Sequence, residues 1–150
     1  MATTNEYKMS ISARGEDFER TVELVYHVAR KFGIREEEAD VIEMAVGEAC
    51  ENAILYCGDE FEEAQFNLDV IIDGKRIKAV VTSKGEPFEF DTVEEFNLDQ
   101  DFMLYKQGGL GIPLMKKLMD EFHYRHEDDD TNVVTLVKNI TDLKKESELE

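Results

Sequence analysis

The chain has 150 residues, 42% of them hydrophobic, which is enough for one domain with a real core and too few for two. Asp and Glu total 35 against 17 Lys and Arg, a formal charge of -18, so the average surface repels nucleic-acid phosphates and anionic lipid and argues against direct binding to either. The charged fraction of 35% does not signal disorder, because 9 Phe and 5 Tyr accompany repeated Val, Ile and Leu clusters. No apolar run approaches the roughly 18 residues of a membrane span. The polar start Met1 to Lys8 lacks a basic region followed by an apolar one, so a cytoplasmic protein is expected.

Weak alternation over Tyr7 to Ala13 predicts a first strand, and Gly15, Glu16 and Asp17 mark a break and an acidic helix start. Phe18, Val22, Val25, Ala29 and Phe32 then recur at spacings of four and three, an amphipathic helix that Gly33 ends. Arg35 to Glu38 opens a second helix, whose apolar set of Ala39, Ile42, Ala45, Val46, Ala49, Ala53 and Tyr56 carries it to about Cys57. Gly58 and Asp59 stop it. The period changes to two at Phe66, Leu68, Val70 and Ile72, and Asp73-Gly74 turns the chain into Ile77, Ala79 and Val81, an antiparallel pair.

Ser83 to Gln107 has no sustained period and reads as a long connection, of a length usually reserved for function. Gly108, Gly109 and Gly111 lead into a third helix, predicted over Leu114 to Phe122. Two strands follow, around Phe122 to His126 and Val133 to Ile140, joined by the acidic turn Glu127 to Asp130. The core thus spans about 7–140, and 141–150 is a charged tail. This order predicts a two-layer α+β sandwich within a single domain: a mixed sheet of about five strands with three helices on one face.

Cys50 and Cys57 lie on one helix two turns apart, about 10 Å, too far for a disulfide, and are read as small buried hydrophobes. Glu48 and Asn52 are four residues apart on a helix face that continues through Val41, Met44 and Leu55. A carboxylate and an amide in an apolar stripe suit either a divalent cation with a proton acceptor beside it or a solvated helix edge. Glu51, on the adjacent face, is expected in solvent. The glycines before the third helix can bring backbone N-H groups close to an anion or form a plain loop, and Pro113 marks the helix start. Ser83-Lys84-Gly85 is by itself a turn at a strand end. His123 and His126 fall on opposite faces of a strand and are expected to be structural, as is His27. The run Glu127 to Asp130 lacks the spaced ligands of a calcium loop.

Taken in order, Glu48-Ala49-Cys50-Glu51-Asn52-Ala53, Ser83-Lys84-Gly85 at a strand end, and Gly108-Gly109-Leu110-Gly111 before Leu118-Met119-Asp120-Glu121 resemble the GHKL (histidine kinase-like) ATPase superfamily. Within it, the chain is similar to anti-sigma-factor serine kinases of the RsbW and SpoIIAB type over about Tyr7 to Ile140, with no attached histidine-phosphotransfer or sensor region. The resemblance implies a Bergerat-type sandwich that binds ATP and magnesium between the second helix and a lid at Asp91 to Gln107. It makes Glu48 the base that activates an attacking serine hydroxyl and Asn52 the magnesium ligand. Gly108, Gly109, Leu110 and Gly111 would cradle the phosphates, while Ser83 and Gly85 would lie at the adenine. The partners it implies are an alternative sigma factor and a STAS-domain anti-sigma-factor antagonist, exchanged by partner switching, with the kinase a homodimer.

Two positions depart from the family pattern: Ser83 stands where an aspartate accepts a hydrogen bond from the adenine amino group, and Thr131-Asn132 where Gly-Thr precedes the last strand. These departures put adenine recognition in question. They also keep open the alternative of a non-catalytic partner-binding protein.

Overall fold

The computed structural model describes residues 4–12, 16–57, 65–88 and 116–140. In chain order the elements are β1 (Thr4–Ser12), α1 (Glu16–Lys31), α2 (Glu36–Leu55), β2 (Gln65–Asp73), β3 (Arg76–Lys84), β4 (Glu121–His126) and β5 (Thr131–Asn139). The two-layer α+β sandwich is as expected, and its sheet has five strands in the order β1-β2-β3-β5-β4. The pairing differs from expectation in one respect. Every strand pair is antiparallel, so the sheet is not mixed.

Helix α1 buries Val22, Val25, Val28 and Ala29 along one stripe, with Phe32 just past its end. Its termination follows from Gly33, whose φ of 83° reverses the chain. The Gly33 N-H donates to the Arg30 carbonyl at 3.0 Å and the Ile34 N-H to that of Ala29 at 3.1 Å, a Schellman arrangement that leaves Ile34 fully buried. Helix α2 starts without a side-chain cap, and Glu36, Glu37 and Glu38 face the positive end of its dipole instead. Its buried face is mostly small, with Ala39, Ala45, Ala49 and Ala53 at 0–2% exposure, which lets the helix axis lie close to its neighbours. Ile42 and Val46 fill the remaining space at 0%.

Facing the helices, β2 contributes Phe66, Leu68, Val70 and Ile72, and β3 contributes Ile77, Ala79 and Val81, all buried, as period two requires. Each such aliphatic side chain removed from water is worth about 1.5–3 kcal/mol. Asp73 pairs with Arg76 across the turn, and Gly74 adopts a φ of 61° there. Cys50 is fully buried, and burial pushes its thiol pKa far up; Cys57 is half-buried and donates its Sγ-H to the Ile54 carbonyl at 2.9 Å. The two cysteines form no disulfide, and Cys50 behaves as a small hydrophobe.

The third helix ends earlier than its period suggests. Residues 116–118 are helical, the chain bends at 119–120, and Glu121 already begins β4, so Phe122 is a strand residue. The reason lies in Asp120, whose N-H donates to the Val137 carbonyl at 2.9 Å while its Oδ2 accepts the Asn139 N-H at 2.6 Å. Those bonds capture the chain on the edge of β5 before another helical turn forms. The first two predicted residues of that helix, 114–115, and the predicted tail, 141–150, lie outside the described residues.

Glu43, half-buried on α2, has its pKa raised by burial and then by Asp40 and Glu23, with His27 opposing in part. A carboxyl whose folded pKa lies above its unfolded one favours the folded state at low pH, and that contribution is lost as pH rises through the carboxylate range. Glu43→Gln is therefore expected to stabilise the protein at neutral pH by about 0.5 kcal/mol, the small size reflecting solvent screening. Urea midpoints should show the gain at pH 7 and none once Glu43 is protonated.

Candidate functional site

Glu48 and Asn52 share one flank of α2 and both are half-buried, as are Val41 and Met44 earlier on that flank. Leu55 departs from the expected apolar stripe, being 72% exposed at the end of the helix. Glu51 is exposed, as its position on the neighbouring face predicts. The Asn52 Nδ2 is buried, and among the described residues it has no hydrogen-bond partner. A buried amide left this way loses about 1–3 kcal/mol of hydration, so the site fits a polar ligand that completes it.

The C-terminus of α2 has no basic residue in its last turn. Its terminal carbonyls are satisfied by backbone instead: Tyr56 N-H donates to Asn52 at 3.1 Å, and the Tyr56 carbonyl accepts the Glu86 N-H at 3.1 Å. Strand β3 thus runs directly onto the helix end. Gly85 makes this approach possible, since a Cβ at that position would overlap the Tyr56 carbonyl oxygen and lie 2.8 Å from its carbon. The close neighbour of Gly85 in the structure is the last turn of the helix that carries Asn52.

Ser83 is 5% exposed and pairs across the sheet with Asn132, at 1%. Asn132 is tied on both ends of its amide. Its Oδ1 accepts the Tyr124 hydroxyl at 2.5 Å and faces His126 Nδ1 at 2.9 Å, while Nδ2 donates to the Glu86 carbonyl at 2.9 Å. Tyr124 in turn accepts the Phe88 N-H at 2.8 Å and stacks on the Phe88 ring at 5.0 Å between centroids. Phe88 meets Tyr56 at the same separation, which closes an aromatic row from β4 to the end of α2.

The β4–β5 hairpin carries the acidic turn as an exposed loop. Lys84 Nζ donates to the Asp129 carbonyl and Oδ2 and to Thr131 Oγ1 at 2.8–3.1 Å, and hydrogen bonds from Thr131 and Lys84 hold the Asp129 carboxyl below the usual range. His123 sits on the outer face against Glu121 and His126 on the inner face against Asn132, the opposition that strand alternation predicts. The contributions of Tyr124 and Phe88 were not legible as site residues in the sequence. A signal for Asn132 existed: it shares the inward register with Val134 and Leu136, where an amide demands partners.

The structure therefore brings Gly85 to the end of the helix bearing Glu48 and Asn52, while Ser83 lies two residues earlier on β3, opposite Asn132. Gly108, Gly109, Leu110 and Gly111, together with the expected lid at 91–107, lie outside the described residues. No helix among the described residues is long and apolar enough to cross a membrane.

The described residues thus form an antiparallel sheet under helices, with a carboxylate and a buried amide that has no hydrogen-bond partner among them one turn apart on the helix above it. Residues 11–138 match the histidine kinase-like ATPase domain, and the chain belongs to that family. It is similar to proteins named serine-protein kinase RsbW. That of Bacillus subtilis is 27% identical over 116 residues, covering 75% of this chain and 72% of the relative. That of Halalkalibacterium halodurans is 29% identical over 125 residues, covering 80% and 75%, and that of Bacillus pumilus is 32% identical over 100 residues, covering 63% and 62%.

Proposed function

We propose that the protein is an ATP-dependent serine-protein kinase and anti-sigma factor, which holds an alternative sigma factor in one state and phosphorylates a STAS-domain antagonist in another. The reading is carried by the pairing of Glu48 and Asn52 on α2, with the Asn52 amide nitrogen buried and without a partner among the described residues, in a chain of the histidine kinase-like ATPase family. Similarity to the RsbW kinases supports serine as the acceptor.

Bound magnesium-ATP supplies a transferable phosphoryl group whose charge is already partly neutralised. Phosphoryl transfer then asks little covalent chemistry of the protein, mainly positioning and a proton acceptor. Asn52 would hold the cation through its amide oxygen, and its amide nitrogen has no hydrogen-bond partner among the described residues that this would displace. Glu48 accepts the proton of the incoming serine hydroxyl. Gly108, Gly109, Leu110 and Gly111 would supply backbone N-H groups to the phosphates. The protein works as a cytoplasmic homodimer, and its charge of -18 suits a basic surface on the sigma factor, so that complex weakens as salt rises.

The test is titration with a fluorescent ATP analogue. Saturable, magnesium-dependent binding is expected, and Asn52→Ala should weaken it by about tenfold or more, the loss of one charge-assisted contact. Absence of binding by the wild type would favour a second reading, a partner-binding protein without catalysis. One observation supports that alternative: Ser83 carries no charge, and the neighbouring Asn132 amide is already engaged by Glu86, Tyr124 and His126.

A further inference from the structure

Asn132 on β5 is eighty residues from Asn52 in sequence, yet a continuous series of hydrogen bonds joins them. Asn132 Nδ2 donates to the Glu86 carbonyl at 2.9 Å, the Glu86 N-H donates to the Tyr56 carbonyl at 3.1 Å, and the Tyr56 N-H donates to the Asn52 carbonyl at 3.1 Å. Glu86 is thus held on both sides of its backbone, by β5 through one group and by α2 through the other. The orientation of the Asn132 amide is determined by its partners. Tyr124 and His126 both approach Oδ1, and only the amino group can serve the Glu86 carbonyl. Each polar end of a residue at 1% exposure is matched, which makes any change at this node costly and local.

A second connection runs beside the first. The Tyr124 hydroxyl that orients Asn132 also accepts the Phe88 N-H, and the rings Tyr124, Phe88 and Tyr56 follow one another at 5.0 Å. Both routes end on the last turn of α2. From this geometry we infer that Asn132 is a positioning residue: it holds the Gly85–Phe88 segment so that the final turn of α2 presents Asn52 in one orientation. The inference rests on the reading of Asn52 as the cation ligand. It adds that this ligand is aligned from β5, through the backbone of Glu86.

Two variants separate this role from general stability. Asn132→Asp keeps the shape and the acceptor facing Tyr124 and His126 but sets an oxygen against the Glu86 carbonyl; Tyr124→Phe keeps the ring stack and removes the hydroxyl. In hydrogen exchange on the nucleotide-free protein, the amides of 52–57 and of Glu86 should exchange about tenfold faster or more in both variants, with β1 and β2 unchanged. In parallel, the magnesium concentration giving half-maximal binding of the fluorescent ATP analogue should rise about tenfold in Asn132→Asp.

Unchanged exchange at 52–57, or equal acceleration in β1 and β2, overturns the positioning role. So does an unaltered magnesium midpoint. If the wild type binds no nucleotide, the kinase reading fails on that result, and the exchange measurement still decides whether Asn132 aligns the helix end.

Discussion

Gly85→Ala is expected to lower stability by about 2–4 kcal/mol, among the largest losses available from one methyl group in this protein. The added Cβ would overlap the Tyr56 carbonyl oxygen and stand 2.8 Å from its carbon and 3.1 Å from the Cys57 Cα. These are backbone atoms, so no side chain can rotate away. Nor can the strand withdraw cheaply. Gly85 N-H donates to Asp130 at 2.9 Å and Glu86 N-H to Tyr56 at 3.1 Å, and retreat would break one or both. Urea unfolding measures the loss directly. Gly74→Asn is the control, because that turn glycine has a φ of 61°, which asparagine tolerates, and lies exposed at the β2–β3 turn. It should cost under about 1 kcal/mol. If Gly85→Ala unfolds within about 0.5 kcal/mol of wild type, the docking of β3 on α2 is not as described.

The elements were legible wherever a single period ran without competition. Val22, Val25 and Ala29 marked α1, and Leu68, Val70 and Ile72 marked β2, because burial on one face imposes spacings that survive in the sequence. Gly33 marked the end of α1 for an equally local reason, its positive φ. What failed to show was long-range. The helix after Gly111 was extended to Phe122 since nothing in its own pattern reveals that Asp120 is captured by β5. The antiparallel placement of β5 between β3 and β4 likewise depends on pairings that no periodicity encodes. Leu55 illustrates the converse, an apolar residue on the expected face whose exposure of 72% follows from its place at a helix end.

The candidate site divides in the same way. Glu48 and Asn52 could be placed together from their spacing alone, as neighbours on one helix face. That Asn52 would have a buried amide nitrogen without a partner among the described residues could not. Gly85 was legible from the residues only as part of a turn, and not its close approach to Tyr56, nearly thirty residues away in sequence. Asn132 was visible only as a departure from a family pattern. Its meaning as the amide that secures Glu86 required the register of β5 against β3 and β4.

Glu48→Gln is expected to reduce phosphate transfer to a serine acceptor by about 10²–10⁴-fold, the usual contribution of a positioned proton acceptor, while leaving magnesium-dependent nucleotide binding near wild type. Glutamine matches glutamate in size and in helix propensity, so the helix should persist. The side chain is half-buried beside fully buried Ala45 and Ala49, and exchanging its charge for a neutral amide adds no desolvation cost. What the variant loses is the ability to take a proton. Asn52→Ala should behave in the opposite manner, losing binding first and transfer as a consequence. That split separates the two roles more sharply than either loss alone, because general damage to α2 would lower both quantities in both variants. Glu48→Asp supplies the intermediate case, a carboxylate withdrawn by one methylene and therefore out of reach of the same hydroxyl. Transfer assays with labelled ATP, magnesium and the STAS-domain antagonist decide it: wild-type rates in Glu48→Gln would remove Glu48 from the chemistry and leave α2 as a binding element only.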